Sequence, residues 1–208
     1  KSDIFRVGND VHPDQRAYLM SLFRTLPVDL SVQLIYPTLY RIWPLEQDAG
    51  LAAVNEETGE PTGGIILPTP LPNLSAEKLD RHGIFLLDDG QQLLMWIGKS
   101  VAPEHLASLF VATNAAGAAV SFSTPGCIVR LCSLLYYCLQ NLTTNPRQLK
   151  LKEDEADTPA GRIGFIIEGL RSQHPLFQKL YIWQEGINAV MDIKFFSSLV
   201  EDKTRNIY

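Results

Sequence analysis

The chain has few cysteines, no long unbroken apolar run and no excess of positive charge, and each shortage removes a class of function. Its three cysteines, Cys127, Cys132 and Cys138, are odd in number and crowded into one short segment. A structural zinc site takes about four ligands, and no histidine stands at a useful spacing from these thiols. They read as buried free thiols of an intracellular protein. The sequons at Asn73-Leu74-Ser75 and Asn141-Leu142-Thr143 accordingly read as unglycosylated, since that modification needs a secretory lumen. Eighteen basic residues stand against 23 acidic ones, for a formal net charge of −5. Scattered along the chain, they leave no basic footprint, which counts against nucleic acid or anionic lipid as the main partner. The most apolar segment, 127–142, is broken by Arg130 and is shorter than the ~20 residues of a membrane span. It reads as a buried or interface helix.

Catalytic patterns are missing as well. Gly98-Lys99-Ser100 resembles the end of a phosphate loop, but Leu93 stands where the first glycine is needed. The histidines, His12, His82, His105 and His174, lie far apart, and no pair has metal-ligand spacing on a helix. His82 reads as a surface turn residue in preference to a base. Ser123-Thr124-Pro125-Gly126 lacks the strand-to-helix elbow of a hydrolase serine. Asp88-Asp89 reads as turn chemistry at a hairpin tip. The acids Glu153 to Asp157 read as a solvated loop, because the spacing of a calcium loop is absent. These readings predict a protein that is not an enzyme. The chain lacks an initiator methionine and any signal-peptide pattern, and it reads as an excised fragment with its targeting information out of view.

What is present suits a folded domain. The 208 residues are 46% apolar, enough for a real core in one domain or one domain with an appendage. A helix start at 9–13, with Pro13 in the first turn, leads into Leu19, Leu22, Phe23 and Leu26 at helical spacing. Val28 to Ile35 continues to the stop before Pro37, and Thr38 to Trp43 has strand character. Residues 46–73, rich in Gly, Pro and acids, predict a long loop. Ser75 caps a short helix over 76–81. Ile84–Asp88 and Gln92–Ile97 flank Asp89-Gly90, the chain's strongest hairpin signal, and are apolar on both faces. That pattern predicts a central hairpin covered twice. A helix follows from Pro103 to about Asn114. Residues 143–161 are polar and read as a surface loop or a disordered insertion. Ile163, Ile166, Ile167 and Leu170 mark another helix, Lys179–Trp183 a strand, and Ala189–Leu199 a final helix. Trp43, Trp96 and Trp183 fall on strands and read as core. Strands and helices mix without regular alternation, which predicts an α+β fold.

The stretch from Ser75-Ala-Glu-Lys-Leu through Arg81-His-Gly-Ile-Phe-Leu-Leu-Asp-Asp-Gly90 to Met95-Trp-Ile-Gly98 resembles the core of a gelsolin-like domain. Ile35-Tyr-Pro-Thr-Leu-Tyr40 stands before it and Phe195-Phe…Leu199-Val-Glu-Asp-Lys203 after it. In this order the blocks resemble the C-terminal part of the cargo-adaptor subunit of the COPII vesicle coat, the Sec24 family. Asp14-Gln-Arg-Ala-Tyr18 is similar to the end of that family's helical domain.

The resemblance implies the end of a helical domain over 1–36 and a gelsolin-like domain over 37–208. The latter would be a small mixed sheet with helices on both faces, a long loop at 46–73 and an insertion at 115–161. It implies that Arg81, Gly83, Asp88, Gly90, Trp96 and Gly98 are fold-determining signature residues, with no catalytic, cofactor or metal residue and no assigned cargo-binding residue. The implied role is non-catalytic: selection of cargo for endoplasmic reticulum to Golgi transport, peripheral on the membrane and on COPII vesicles. Its implied partners are the GTPase-activating coat subunit, the small Sar GTPase indirectly, cargo sorting signals and SNAREs. A zinc site is implied only upstream of this chain. The alternative is an actin-binding domain of the gelsolin–villin type. Its calcium site needs an acid just after the glycine that opens the first core strand, and Ile84 stands there.

Overall fold

A computed structural model of the protein describes residues 12–55, 58–112, 149–151 and 158–199. Two helices open it, α1 (Pro13–Thr25) and α2 (Val28–Ile35). Pro13 occupies the first turn of α1, and the His12 ring accepts from the Asp14 N–H at 3.3 Å. Pro27 separates the helices, and the Ser31 hydroxyl ties them by donating to the carbonyls of Phe23 and Leu26. The pair buries little: Leu19, Ser31 and Leu34 are its buried residues.

The centre is a four-stranded sheet built from β1 (Thr38–Trp43), β4 (Ile84–Asp88), β5 (Gln92–Ile97) and β8 (Lys179–Gln184), hydrogen-bonded in that order. β1 pairs antiparallel with β4 and β4 with β5, whereas β8 joins parallel to β5 with Trp183 beside Trp96. Every residue of β4 is buried, as is every residue of β5 except Gln92. Side chains alternate across a strand, so each strand supplies both layers. Ile84, Leu86, Met95 and Ile182 face one core, which α4 (Pro159–Ser172) covers with Ile163, Ile166, Ile167 and Leu170. Phe85, Leu87, Trp96 and Trp183 face the other, covered by Met191 and Phe195 of α5 (Ala189–Ser198) and by Leu199 beyond it. The result is a mixed α/β architecture with helices on both faces of the sheet. The central, doubly covered hairpin matches the expectation from its two apolar faces.

Several local expectations are corrected. Residues 46–73 are not one long loop, because β2 (Ala52–Val54) and β3 (Pro61–Ile65) pair antiparallel within them. The short helix over 76–81 reduces to a single 3-10 turn, Ala76–Lys78, still capped by the Ser75 hydroxyl. The helix from Pro103, α3, ends at Leu109, and the backbone extends at once into β6 (Phe110–Ala112). β6 pairs with β7 (Leu149–Leu151), and α4 starts at Pro159, so residues 143–161 hold a strand and a helix start. The Thr158 hydroxyl accepts from the Gly161 N–H and fixes that start. The apolar segment at 127–142, the three cysteines, Ser123–Gly126, and the acids Glu153–Asp157 lie outside the described residues.

Candidate functional site

Five of the six signature positions gather at the two ends of the β4–β5 hairpin, and Trp96 lies between them. At one end Gly83 opens β4 and Gly98 closes β5, with the Gly98 N–H donating to the Gly83 carbonyl at 3.0 Å. A Cβ at Gly98 would overlap the Arg81 carbonyl group, so the backbones approach as closely as only glycine allows. The Arg81 carbonyl also accepts from the Ser100 N–H. Its guanidinium is exposed and lies 3.5 Å from Glu185, whose other oxygen accepts from the Lys99 N–H. Between the two ends, Trp96 is buried among Phe85, Phe195 and Phe196, with its ring nearly parallel to Phe195 at 5.9 Å.

At the other end Gly90 turns the chain with φ +81°, and Leu34 of α2 packs 3.2 Å from where a Cβ would stand. The Asp89 carboxylate accepts from the N–H groups of Gln91 and Gln92 and from the Gln92 side chain. Burial pushes its carboxyl above the ordinary value, against those hydrogen bonds and the charge of Lys194. Asp88 is more than turn chemistry, because it is fully buried. Its Oδ1 accepts from the Gly90 N–H at 2.9 Å and from the Gln178 side chain at 2.6 Å, and its Oδ2 meets His174 Nε2 at 3.1 Å. Burial, then the Asp88 charge, raises the Tyr40 phenol above its usual value. One carboxylate thus joins β4, the turn and both ends of the α4–β8 connection. His174 and Gln178 carried no local signal in the sequence, since they meet Asp88 only through the fold.

This arrangement braces the fold and does not present a reaction centre. The His174 side chain is 3% exposed and Asp88 is 0% exposed, so a substrate in solvent cannot reach the pair. His82 lies on the surface and bonds to Asp80, whose carboxyl is held low chiefly by the His82 N–H. His105 packs against Trp43 at 4.7 Å, at the edge of the first core. Trp96 and Trp183 are core residues, while Trp43 is partly buried. Ile84, in the position where a calcium ligand was expected for an actin-binding domain, is fully buried. Among the described residues, no three of His, Cys, Asp or Glu come together in a way that could hold a metal. No helix among them is long and apolar enough to cross a membrane.

Apolar side chains are exposed elsewhere on the surface. On α1 and α2, Tyr18, Phe23, Val28 and Val32 face outward. On the sheet module, Leu176 and Phe177 stand out from the α4–β8 connection, and Val190 and Ile193 from α5. The hairpin geometry pointed to none of these.

Comparison with known proteins agrees with this geometry. The Gelsolin repeat family matches residues 66–130, which include the whole β4–β5 hairpin. Protein transport protein Sec24A of Mus musculus is 30% identical over 207 residues, covering 99% of this chain and 16% of the relative. Protein transport protein SEC24 of Neosartorya fischeri is 37% identical over 105 residues, half of this chain and 11% of the relative. A crystal structure of the human COPII-coat protein Sec24c superposes with a TM-score of 0.62 at 25% identity, over 97% of this chain and 20% of that one. The chain therefore spans a small part of each relative's length. The gelsolin repeat is one that Sec24 proteins carry, and the actin-binding alternative is set aside. From α1 to α5, this chain belongs to the Sec24 family of protein transport proteins, and its doubly covered sheet is that family's gelsolin-like module.

Proposed function

We propose that the chain is a non-catalytic scaffold and interaction module of a COPII coat cargo adaptor, acting in endoplasmic reticulum to Golgi transport. The observation that carries this reading is the collinear match to Sec24A across 99% of the chain, helical pair and sheet alike. A sheet braced from both sides, with the Asp88 carboxylate sealed inside, supports a rigid binding platform. In this reading residues 1–36 close a helical domain and 37–208 form the gelsolin-like domain. Arg81, Gly83, Asp88, Gly90, Trp96 and Gly98 set the fold, and the module itself needs no cofactor.

The whole protein would lie on the cytoplasmic face of the membrane without spanning it. It would pair with the GTPase-activating coat subunit, meet the Sar GTPase through that subunit, and gather cargo signals and SNAREs. Weak individual contacts become effective when adaptors are arrayed in a coat. The test is affinity capture of the tagged protein from cells, with and without residues 76–208, followed by mass spectrometry. Recovery of the GTPase-activating coat subunit and vesicle SNAREs is expected. Recovery of actin without coat subunits would overturn the reading.

A further inference from the structure

The four-stranded sheet ends at β1, and a proline-rich strap covers that edge. The strap is Ile66-Leu-Pro-Thr-Pro-Leu-Pro-Asn-Leu74, and it passes from one face of the sheet to the other. Leu67 packs against the first core, Leu71 against the second, and Leu74 is buried within the second. At the edge itself Tyr40 bridges to Pro70, and the Leu71 N–H donates to the Leu39 carbonyl at 2.8 Å. Pro68, Pro70 and Pro72 have no N–H with which to extend that pairing, so the strap masks the edge without becoming a strand.

Thr69 is exposed at the middle of the strap and ties it down. One carboxylate oxygen of Glu46 accepts from its N–H at 3.1 Å and from its hydroxyl at 3.2 Å. The backbone of Glu46 is held in turn by α4. Arg162 Nη2 donates to the Glu46 carbonyl at 2.9 Å, and the same guanidinium grips the carbonyls of Gln47 and Ala49. Thr69 also precedes Pro70, and a residue before proline is biased to an extended backbone. An exposed, extended Thr-Pro pair is the form in which proline-directed protein kinases take a substrate. The chain has two other such pairs. Thr158 is partly buried and spends its hydroxyl on the cap of α4, and Thr124 lies outside the described residues.

We propose that Thr69 is a phosphorylation site for a proline-directed kinase, and that its phosphate releases the strap from the β1 edge. In the transfer, Thr69 Oγ1 attacks the γ-phosphorus of a nucleoside triphosphate. The bond to the departing nucleoside diphosphate breaks, and the hydroxyl proton passes to a base of the kinase. The product carries about 1.5 to 2 negative charges at neutral pH on the atom that now donates to Glu46. Donor and acceptor become like charges, and the hydroxyl bond is lost. Arg162 keeps the Glu46 backbone in place with its Nε and Nη2 committed to carbonyls, and Arg41 lies beside Asp80 at 3.9 Å. The strap is therefore the part that moves, and its departure opens the β1 edge to pairing. The inference rests on this chain's own strap and is independent of the coat reading.

The test incubates the full 208-residue chain with a mitogen-activated, proline-directed protein kinase, ATP and Mg²⁺. The phosphate is mapped by mass spectrometry, and amide hydrogen exchange is read before and after modification. Phosphate is expected on Thr69 and is absent there in Thr69→Ala and Pro70→Ala. Both positions are exposed, so matching melting curves establish that these variants remain folded. Exchange at the Thr69 and Leu71 amides speeds up by about tenfold on modification, the scale of like charges about 4 Å apart near a protein surface. In Glu46→Gln, which keeps an acceptor oxygen without the charge, the phosphate speeds exchange by much less. An unmodified Thr69 under conditions in which the kinase modifies a Thr-Pro control peptide overturns the proposal, as does phosphate confined to Thr158 or Thr124. Unchanged or slower exchange at Leu71, as from a phosphate captured by Arg41 or Arg162, overturns the release.

Discussion

The β4–β5 hairpin and the α1–α2 pair solve opposite problems. The hairpin sends its side chains into two cores and leaves almost nothing outside. The helical pair buries Leu19 and Leu34 and turns Tyr18, Met20, Phe23, Val28, Val32 and Tyr36 outward. The two regions touch where Leu34 packs against Gly90. One region stores the stability of the module, and the other carries surface. Substitutions of similar size should then cost very different amounts on the two sides of that contact.

The largest effect belongs to Trp96→Ala. Its indole packs against Phe85, Phe195 and Phe196, and truncation opens a large cavity in the second core. A loss of about 3–5 kcal/mol is expected in a denaturant titration. A loss below about 1 kcal/mol, the scale of a surface change, would mean that the sheet is not where stability resides.

Asp88→Ala comes next. It leaves the Gln178 amide, His174 and the Gly90 N–H without their buried acceptor. An unsatisfied buried group costs about 1–3 kcal/mol, so a loss of roughly 3 kcal/mol is expected for the set. Hydrogen exchange should also speed up at residues 174–178, because the carboxylate pins both ends of that loop. Uniform loss of protection with no local effect there would argue against this anchoring.

Those two residues also mark what the sequence makes legible. Trp96 lies on a strand whose apolar run and Asp-Gly turn announce a central hairpin, and α4 is announced by isoleucines at helical spacing. Local patterns of this kind survive because the fold agrees with them. Asp88 reads as a turn acid because its partners come 86 and 90 residues later. The β2–β3 pair is hidden because Pro61-Thr62-Gly63-Gly64 is exposed and lacks apolar alternation. The end of α3 is hidden because Leu109 and Phe110 continue an apolar run without a breaker. The exposed Phe177 is equally silent, since an aromatic before a strand is usually core. The resemblance to a coat adaptor reached the family, whereas the exposure of Phe177 follows only from the way the chain folds around it.

Gly90→Ala probes the contact between the regions. A φ of +81° is costly for any side chain, and the new Cβ would press on Leu34. A loss of about 1–2 kcal/mol is expected from the backbone conformation alone. Adding Leu34→Ala relieves the contact and should make the pair of changes less than additive. Strict additivity in the double-mutant cycle would show that α2 does not rest on the turn.

Asp89 sharpens the same comparison through pH. Its folded carboxyl titrates above the unfolded one, because burial disfavours its charge. The folded state then binds the proton more tightly, so this residue's contribution to stability falls as pH rises from the ordinary carboxylate value through the raised one. It is fully unfavourable above both. Asp89→Asn removes that slope and keeps an oxygen for the Gln91 and Gln92 N–H groups. Stability profiles of the two proteins should diverge progressively over that window, and parallel profiles would place the titration elsewhere.

The smallest effect is expected on the helical pair. Val28 is 80% exposed and Val32 53%, so Val28→Ser with Val32→Ser removes little apolar surface from any core. Surface changes of this kind stay within about 0.5 kcal/mol each, and the melting temperature should move by only ~2 °C. If these valines serve as binding surface, the double variant loses a partner while keeping its fold, the reverse of Trp96→Ala. Partner capture and thermal melting on the same two proteins separate the possibilities. A large drop in melting temperature for the valine variant would show that the pair stabilises the sheet and would erase the division of labour between the regions.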